Sequence, residues 1–121
     1  MITSNRSVGL KGERIAAEYL ILHGYSILDR NARTPYGEID LVTRQGIVTV
    51  FVEVKTRTSN RFGPPETAIT SKKRAHMLAA SQAYLQMHPE LEGDWRLDVI
   101  AIELDRNNQE TSVVHFENAV V

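Results

Sequence analysis

The stretch from Gly37 to Arg57, GEIDLVTRQGIVTVFVEVKTR, constrains the fold of this chain more than any other. It reads as two strands joined by a tight turn at Gln45-Gly46. Side chains alternate across a strand with period two. Val48, Val50, Val52 and Val54 therefore share one face of the second strand, and Thr49, Phe51, Glu53, Lys55 and Arg57 the other. On the first strand Glu38, Asp40 and Val42 share a face opposite Ile39 and Leu41. Pairing the strands brings Asp40 and Glu53 to the same end of a sheet, with Lys55 beside Glu53. Two carboxylates and an ammonium converge on one patch.

The flanking segments supply layers for that sheet. Residues 1–8 read as a flexible polar start and residues 9–23 as a helix, with Leu10, Ala16, Ala17, Leu20 and Gly24 on one face. Glu13 lies at the centre of that apolar face, where a carboxylate needs a partner or a metal; a helix-start glutamate favoured by the macrodipole is the plainer alternative. Gly24 supplies a left-handed cap, and a strand follows over residues 25–33, with Tyr25, Ile27 and Asp29 on one face. Pro35-Tyr36-Gly37 is a turn, and residues 59–66, SNRFGPPE, form a loop that either borders the carboxylate patch or simply connects elements. A second helix starts at Thr70 or Ser71 and runs to Met87, with Lys73, Met77, Ala80, Tyr84 and Met87 on one stripe. Its basic first turn, Lys72-Lys73-Arg74, opposes the helix dipole, a conflict that an anionic partner relieves; a solvated basic face is the commoner explanation of such a run. An acidic linker over 90–94, an apolar strand over 95–103, a polar turn over 105–109 and a short edge strand over 111–116 complete the chain.

The order is helix, three-strand meander, helix, strand, strand. A helix between the third and fourth strands permits a parallel right-handed crossover. The expected architecture is an α/β mixed sheet flanked by helices, an αβββαβ core with an extra C-terminal strand. The 121 residues make one domain, 1–121, with its core at about 9–117.

Composition narrows the chemistry. Without cysteine there are no disulfides, thiolate nucleophiles or zinc-thiolate sites, which suits a reducing compartment. The first residues lack the apolar core of a signal peptide, and no apolar run is long enough to span a bilayer, so a soluble cytoplasmic protein without membrane contact is expected. A net charge of −1 argues against coating nucleic acid by bulk charge. Charge is uneven, however: residues 1–61 carry nine Lys and Arg against six Asp and Glu, and residues 62–121 five against nine. Phosphate contact would be local, through Lys55, Arg57, Arg61 and the run Lys72-Lys73-Arg74. His23, His76, His88 and His115 are too scattered for a metal motif and read as surface or cap residues.

Phosphodiester hydrolysis needs an activated water and neutralisation of charge on the phosphoryl oxygens. Mg²⁺ or Mn²⁺ supplies both, typically held by one or two carboxylates and waters. Asp40 and Glu53 are hard oxygen ligands of that kind, the Val54 carbonyl offers a third oxygen, and Glu13 an additional ligand. Lys55 sits where it can orient water or offset transition-state charge. The same residues also satisfy the pattern of a partly buried ion network, so site and structure both remain open at this level.

The residues GERIAAEYL (12–20), GEIDLV (37–42), FVEVKTR (51–57), Phe62-Gly63-Pro64, Lys73 and RLDV (96–99) together resemble the YraN family. That is a small, largely uncharacterised bacterial family assigned to the restriction-endonuclease-like fold, close to archaeal Holliday-junction resolvases within the PD-(D/E)XK nuclease superfamily. The resemblance covers about residues 9–104 in order. It implies that Asp40 is the metal aspartate, Glu53 and Lys55 the Glu-x-Lys pair, and Glu13 the helix-one glutamate, with Ile39 where the superfamily has a proline. The implied activity is metal-dependent endonucleolytic hydrolysis of DNA, branched DNA included, with Arg57, Lys73, Lys72 and Arg61 on the phosphates and a homodimer where cleavage is symmetric. A non-catalytic nucleic-acid-binding module and a scaffold built on an ion network are the alternatives.

Overall fold

The valine-rich strands lie at the centre of a five-stranded sheet. The computed structural model describes residues 5–58 and 70–119. The loop expected at 59–66, with Arg61, lies outside the described residues. Helix α1 (Asn5–Leu22) is followed by strands β1 (Ser26–Thr34), β2 (Gly37–Gln45) and β3 (Val48–Arg57). Helix α2 (Ser71–Met87) and a short 3₁₀ turn (Pro89–Leu91) precede β4 (Trp95–Leu104) and β5 (Glu110–Phe116). Strand order is β1-β2-β3-β4-β5, with β3 and β4 parallel and the other neighbours antiparallel. This is the expected mixed α/β sheet, αβββαβ plus one strand. No helix among the described residues is long and apolar enough to cross a membrane.

Each face of the sheet carries one helix and its own core. Ile15, Ala16, Ala17 and Leu20 of α1 pack on Tyr25, Leu41, Val50, Val52, Ile100 and Ile102. Ala80 and Tyr84 of α2 pack on Ala32, Ile39, Val42, Phe51, Leu97 and Val99. The alternation read along β3 and β4 is thus realised, because both central strands are covered on both sides. Helix α1 closes on Gly24, whose φ of 89° lets Tyr25 N–H reach the Leu20 carbonyl. Thr70 caps α2, its hydroxyl accepting the Lys73 N–H at 3.1 Å.

Four expectations are corrected. Helix α1 begins at Asn5, so residues 5–8 of the expected flexible start are helical, and Leu10 is exposed on the outward face of the helix, while Val8 and Gly12 on either side of it face the sheet. Met87 is exposed at the last turn of α2. Asp29 faces α2, where it accepts the Tyr84 hydroxyl at 3.2 Å, because a register shift between Ile27 and Asp29 breaks the alternation of β1. The β2–β3 turn is centred on Gly46-Ile47, since Gly46, with φ of 61°, takes the first central position of a two-residue hairpin loop. Moving the turn by one residue moves the strand register by two.

Gly12 sets how close α1 comes to the sheet. A Cβ there would overlap Thr56 Oγ1, Cβ and Cγ2 on β3. Thr56 is β-branched and its Cβ is fixed to the backbone, so only separation of helix and strand relieves the overlap. Gly12→Ala gains at most about 1 kcal/mol of helix propensity and meets an overpacking cost of about 1–3 kcal/mol. A net loss of stability is expected in a denaturant melt; a rise would show that α1 shifts freely on the sheet.

Candidate active site

The corrected register determines the site. The β2–β3 ladder pairs Gln45 with Val48 and ends with Leu41 opposite Val52. One step further, Asp40 stands opposite Glu53. There the two strands part, and the Val54 N–H donates to Asp40 Oδ2 at 2.8 Å rather than to a β2 carbonyl. The same parting ends the alternation expected along β2. Ile39 turns into the α2 layer with Val42, while Leu41 packs under α1, so Glu38, Asp40 and Val42 do not share one face.

Glu53 is buried, 8% exposed, and meets two lysines. Lys73 Nζ, reaching in from the first turn of α2, lies 2.9 Å from Glu53 Oε1, and Lys55 Nζ lies 3.8 Å from the same oxygen. The lysine expected on the sheet side of α2 is there, but on a carboxylate. Glu13 approaches from α1, one turn ahead of Ala16 and Ala17, half-buried and hydrogen-bonded by the Asn31 side chain. Asn31 lies between the Arg30–Leu41 and Ala32–Ile39 pairs, in left-handed backbone with φ of 51°. Sequence reasoning missed it. Its only signal was an asparagine, a residue that tolerates this conformation, in the middle of a strand.

Burial and crowding raise the proton affinity of Asp40 and Glu13. Burial first, then the neighbouring Glu53 charge, push Asp40 up to about 7 despite the Val54 N–H, and the two carboxyl groups hydrogen-bond each other. Burial also raises Glu13, against the Asn31 hydrogen bond and with help from the Glu38 and Glu53 charges. A carboxylate pair holding a proton near neutrality is one in which a cation can replace that proton. Asp40 and Glu53 therefore fit a divalent ion of the Mg²⁺ type, which needs only one or two carboxylates besides water. Among the described residues, no three His, Cys, Asp or Glu side chains are grouped closely enough to hold one ion, so Glu13 borders the pair without completing a three-carboxylate cage. Lys72 is exposed on α2 and Arg57 half-buried at the end of β3.

A second polar centre lies on the α1 face of β4. Asp98 is fully buried and accepts from Arg96 Nε at 3.0 Å and the Asn118 N–H at 2.8 Å, with His115 Nε2 at 2.7 Å. Arg96 also donates to the Tyr25 hydroxyl at 2.7 Å. The expectation that His115 is a surface or cap residue is corrected, since its side chain is 8% exposed.

The element order and pairing define a mixed α/β protein, a five-stranded sheet with one helix on each face. The chain belongs to the uncharacterised protein family UPF0102, whose model matches residues 12–102 and which is the YraN family that the motifs resemble. It is similar to a UPF0102 protein of Geobacter metallireducens, 44% identical over 98% of this chain and 96% of the relative. Another, from Syntrophomonas wolfei, is 44% identical over 95% and 98%. Among solved structures it is similar to Pyrococcus furiosus SfsA in complex with Ca²⁺, at 18% identity and a TM-score of 0.42 over 96% of this chain and 64% of that one.

Proposed function

We propose that this chain is a Mg²⁺- or Mn²⁺-dependent endonuclease acting on DNA in the cytoplasm, with branched DNA among its substrates. The observation that supports this best is the placing of Asp40 against Glu53, with Lys55 on the same carboxylate, where β2 and β3 part. Asp40 and Glu53 would hold the ion, with the Val54 carbonyl as a further oxygen. A divalent ion bound there supplies Lewis acidity, lowering the pKa of water and offsetting phosphoryl charge. Lys55 orients the attacking water and balances charge as the phosphorus–oxygen bond breaks. Glu13, held by Asn31, would assist as an additional ligand or as an acceptor beside the ion. Lys72, Lys73 and Arg57 would contact the flanking phosphates, local basic groups in a chain of net charge −1, joined by Arg61 as the sequence suggests. Two symmetric cuts in a four-way junction would call for a second copy of the chain.

The test is cleavage of labelled four-way junction, flap, duplex and single-stranded DNA in Mg²⁺, Mn²⁺ or EDTA. Cleavage is expected only with metal, and Asp40→Ala and Lys55→Ala are each expected to lower it by about 10³-fold or more. The ion pairs that Lys55 and Lys73 make with Glu53 favour a second reading, binding without hydrolysis. Equal DNA binding by wild type and both variants, with no cleavage of any substrate, would establish it.

A further inference from the structure

Lys73 and a bound metal compete for one oxygen. Lys73 Nζ lies 2.9 Å from Glu53 Oε1, closer than Lys55 at 3.8 Å. Glu53 is the more enclosed partner: its side chain is 10% exposed, against 41% for Lys73. The ammonium thus comes from the solvent side and reaches inward on a flexible stem, whereas the carboxylate is fixed in the central strand. Lys73 also stands at the third position of α2, flanked by Lys72 and Arg74 in a first turn with no acidic residue. Like charges and the helix dipole both favour moving an ammonium away from that turn or pairing it with an anion. Glu53 serves as that anion in the metal-free chain.

A divalent ion shared by Asp40 and Glu53 would withdraw this partner. Bound to the Glu53 oxygen, it would repel an ammonium hydrogen-bonded to that same atom. A lysine leaves such a contact readily, because its stem rotates without moving the helix. Released, Lys73 stands beside Lys72 and Arg74 without the Glu53 charge, and a substrate phosphate would supply the anion that this turn lacks.

We infer that Lys73 is an exchangeable counter-cation. It holds Glu53 while no metal is present, and metal loading releases it to the substrate phosphate, so that the metal creates a phosphate contact as it binds. This rests on the metal-site reading above. It makes Lys73 a positioning residue whose effect on metal affinity has the opposite sign to its effect on DNA affinity.

The experiment is titration of Mn²⁺ into wild type, Lys73→Met, Lys73→Gln, Lys72→Met and Asp40→Asn, followed by calorimetry without DNA, with circular dichroism melts to check folding. Both Lys73 variants are expected to bind Mn²⁺ about tenfold more tightly than wild type. Lys72→Met should match wild type and Asp40→Asn should not bind. With a labelled DNA junction in Ca²⁺, Lys73→Met should bind less tightly than wild type, and in EDTA the two should bind equally. Unchanged or weaker Mn²⁺ binding by folded Lys73 variants, with Asp40→Asn inactive in binding, would overturn the exchange while leaving the metal site standing. Absence of Mn²⁺ binding in wild type and both Lys73 variants would overturn both.

Discussion

Asp40→Asn is expected to abolish metal-dependent cleavage and, in the same molecule, to stabilise the metal-free fold above pH 7. The two effects share one origin. Asp40 is pushed to about 7 by burial and by Glu53, so in the apo chain at pH 8 the fold holds two negative carboxylates against each other. An asparagine keeps an acceptor for the Val54 N–H and offers an amide donor to Glu53, imitating the protonated carboxyl without its charge.

The sign of the pH dependence follows from the direction of the shift. The folded pKa of about 7 lies above the ordinary 3.8, so the stability associated with Asp40 is fully present below about pH 4 and is lost as pH rises through 7. The loss reaches about 4 kcal/mol as an upper bound. Guanidinium melts in EDTA at pH 5, 6.5 and 8 should show wild type falling progressively below Asp40→Asn. Mg²⁺ should restore wild type, by mass action on the folded state, and leave the variant unmoved. Were the carboxylates and lysines a structural ion network instead, removing the Asp40 charge would destabilise the chain at pH 8. That result would remove the physical basis for a cation at this position.

How much of this was legible beforehand depends on the range of the interaction concerned. The central strands, both helices and the order of elements followed from local periodicity, because Val48 to Val54 and Trp95 to Ile102 are covered on both faces and carry their pattern openly. The convergence of Asp40, Glu53 and Lys55 was legible for the same reason: they lie on two strands joined by a short hairpin. The direct opposition of Asp40 and Glu53 was not, since it turns on whether Gly46 takes the first or the second central position of the loop. Nor was the break in alternation at Ile39. It arises where β2 leaves β3 and a side chain replaces the ladder, an event that no period-two pattern encodes. Asn31 and Gly12 act through neighbours distant in sequence, Glu13 and Thr56, and only the packed fold names those partners. The Asp98 centre was invisible for a related reason: Arg96 and Asp98 are adjacent on one strand, but His115 and Asn118 arrive from the end of the chain.

That centre carries the largest expected loss of stability. Asp98→Ala removes the one acceptor shared by Arg96, His115 and the Asn118 N–H, leaving a histidine that is 8% exposed without its carboxylate and a guanidinium that is 20% exposed with only the more distant Glu117, at 3.6 Å, as its carboxylate. Breaking a buried charge pair from one side costs about 3–5 kcal/mol, a large part of the 5–15 kcal/mol that a folded domain typically has. Burial alone would raise the Asp98 carboxyl, but hydrogen bonds from His115, Arg96 and Asn118 outweigh it and hold the group below its ordinary 3.8. Its stability is therefore present above about pH 4 and is lost as pH falls through the lower folded value, opposite in direction to Asp40. From these two groups wild type should be most stable at about pH 4, where the Asp98 contribution is nearly complete and the loss from Asp40 is only beginning. Asp98→Ala should flatten the acid limb and leave the decline toward pH 8 in place, while Asp40→Asn should do the reverse. Because Asp98 faces α1 and Glu53 lies on the α2 side of the sheet, cleavage per folded molecule should survive Asp98→Ala at low temperature. Melts and cleavage measured on the same preparation separate the two centres, and loss of metal-dependent cleavage from fully folded Asp98→Ala would show that they are coupled.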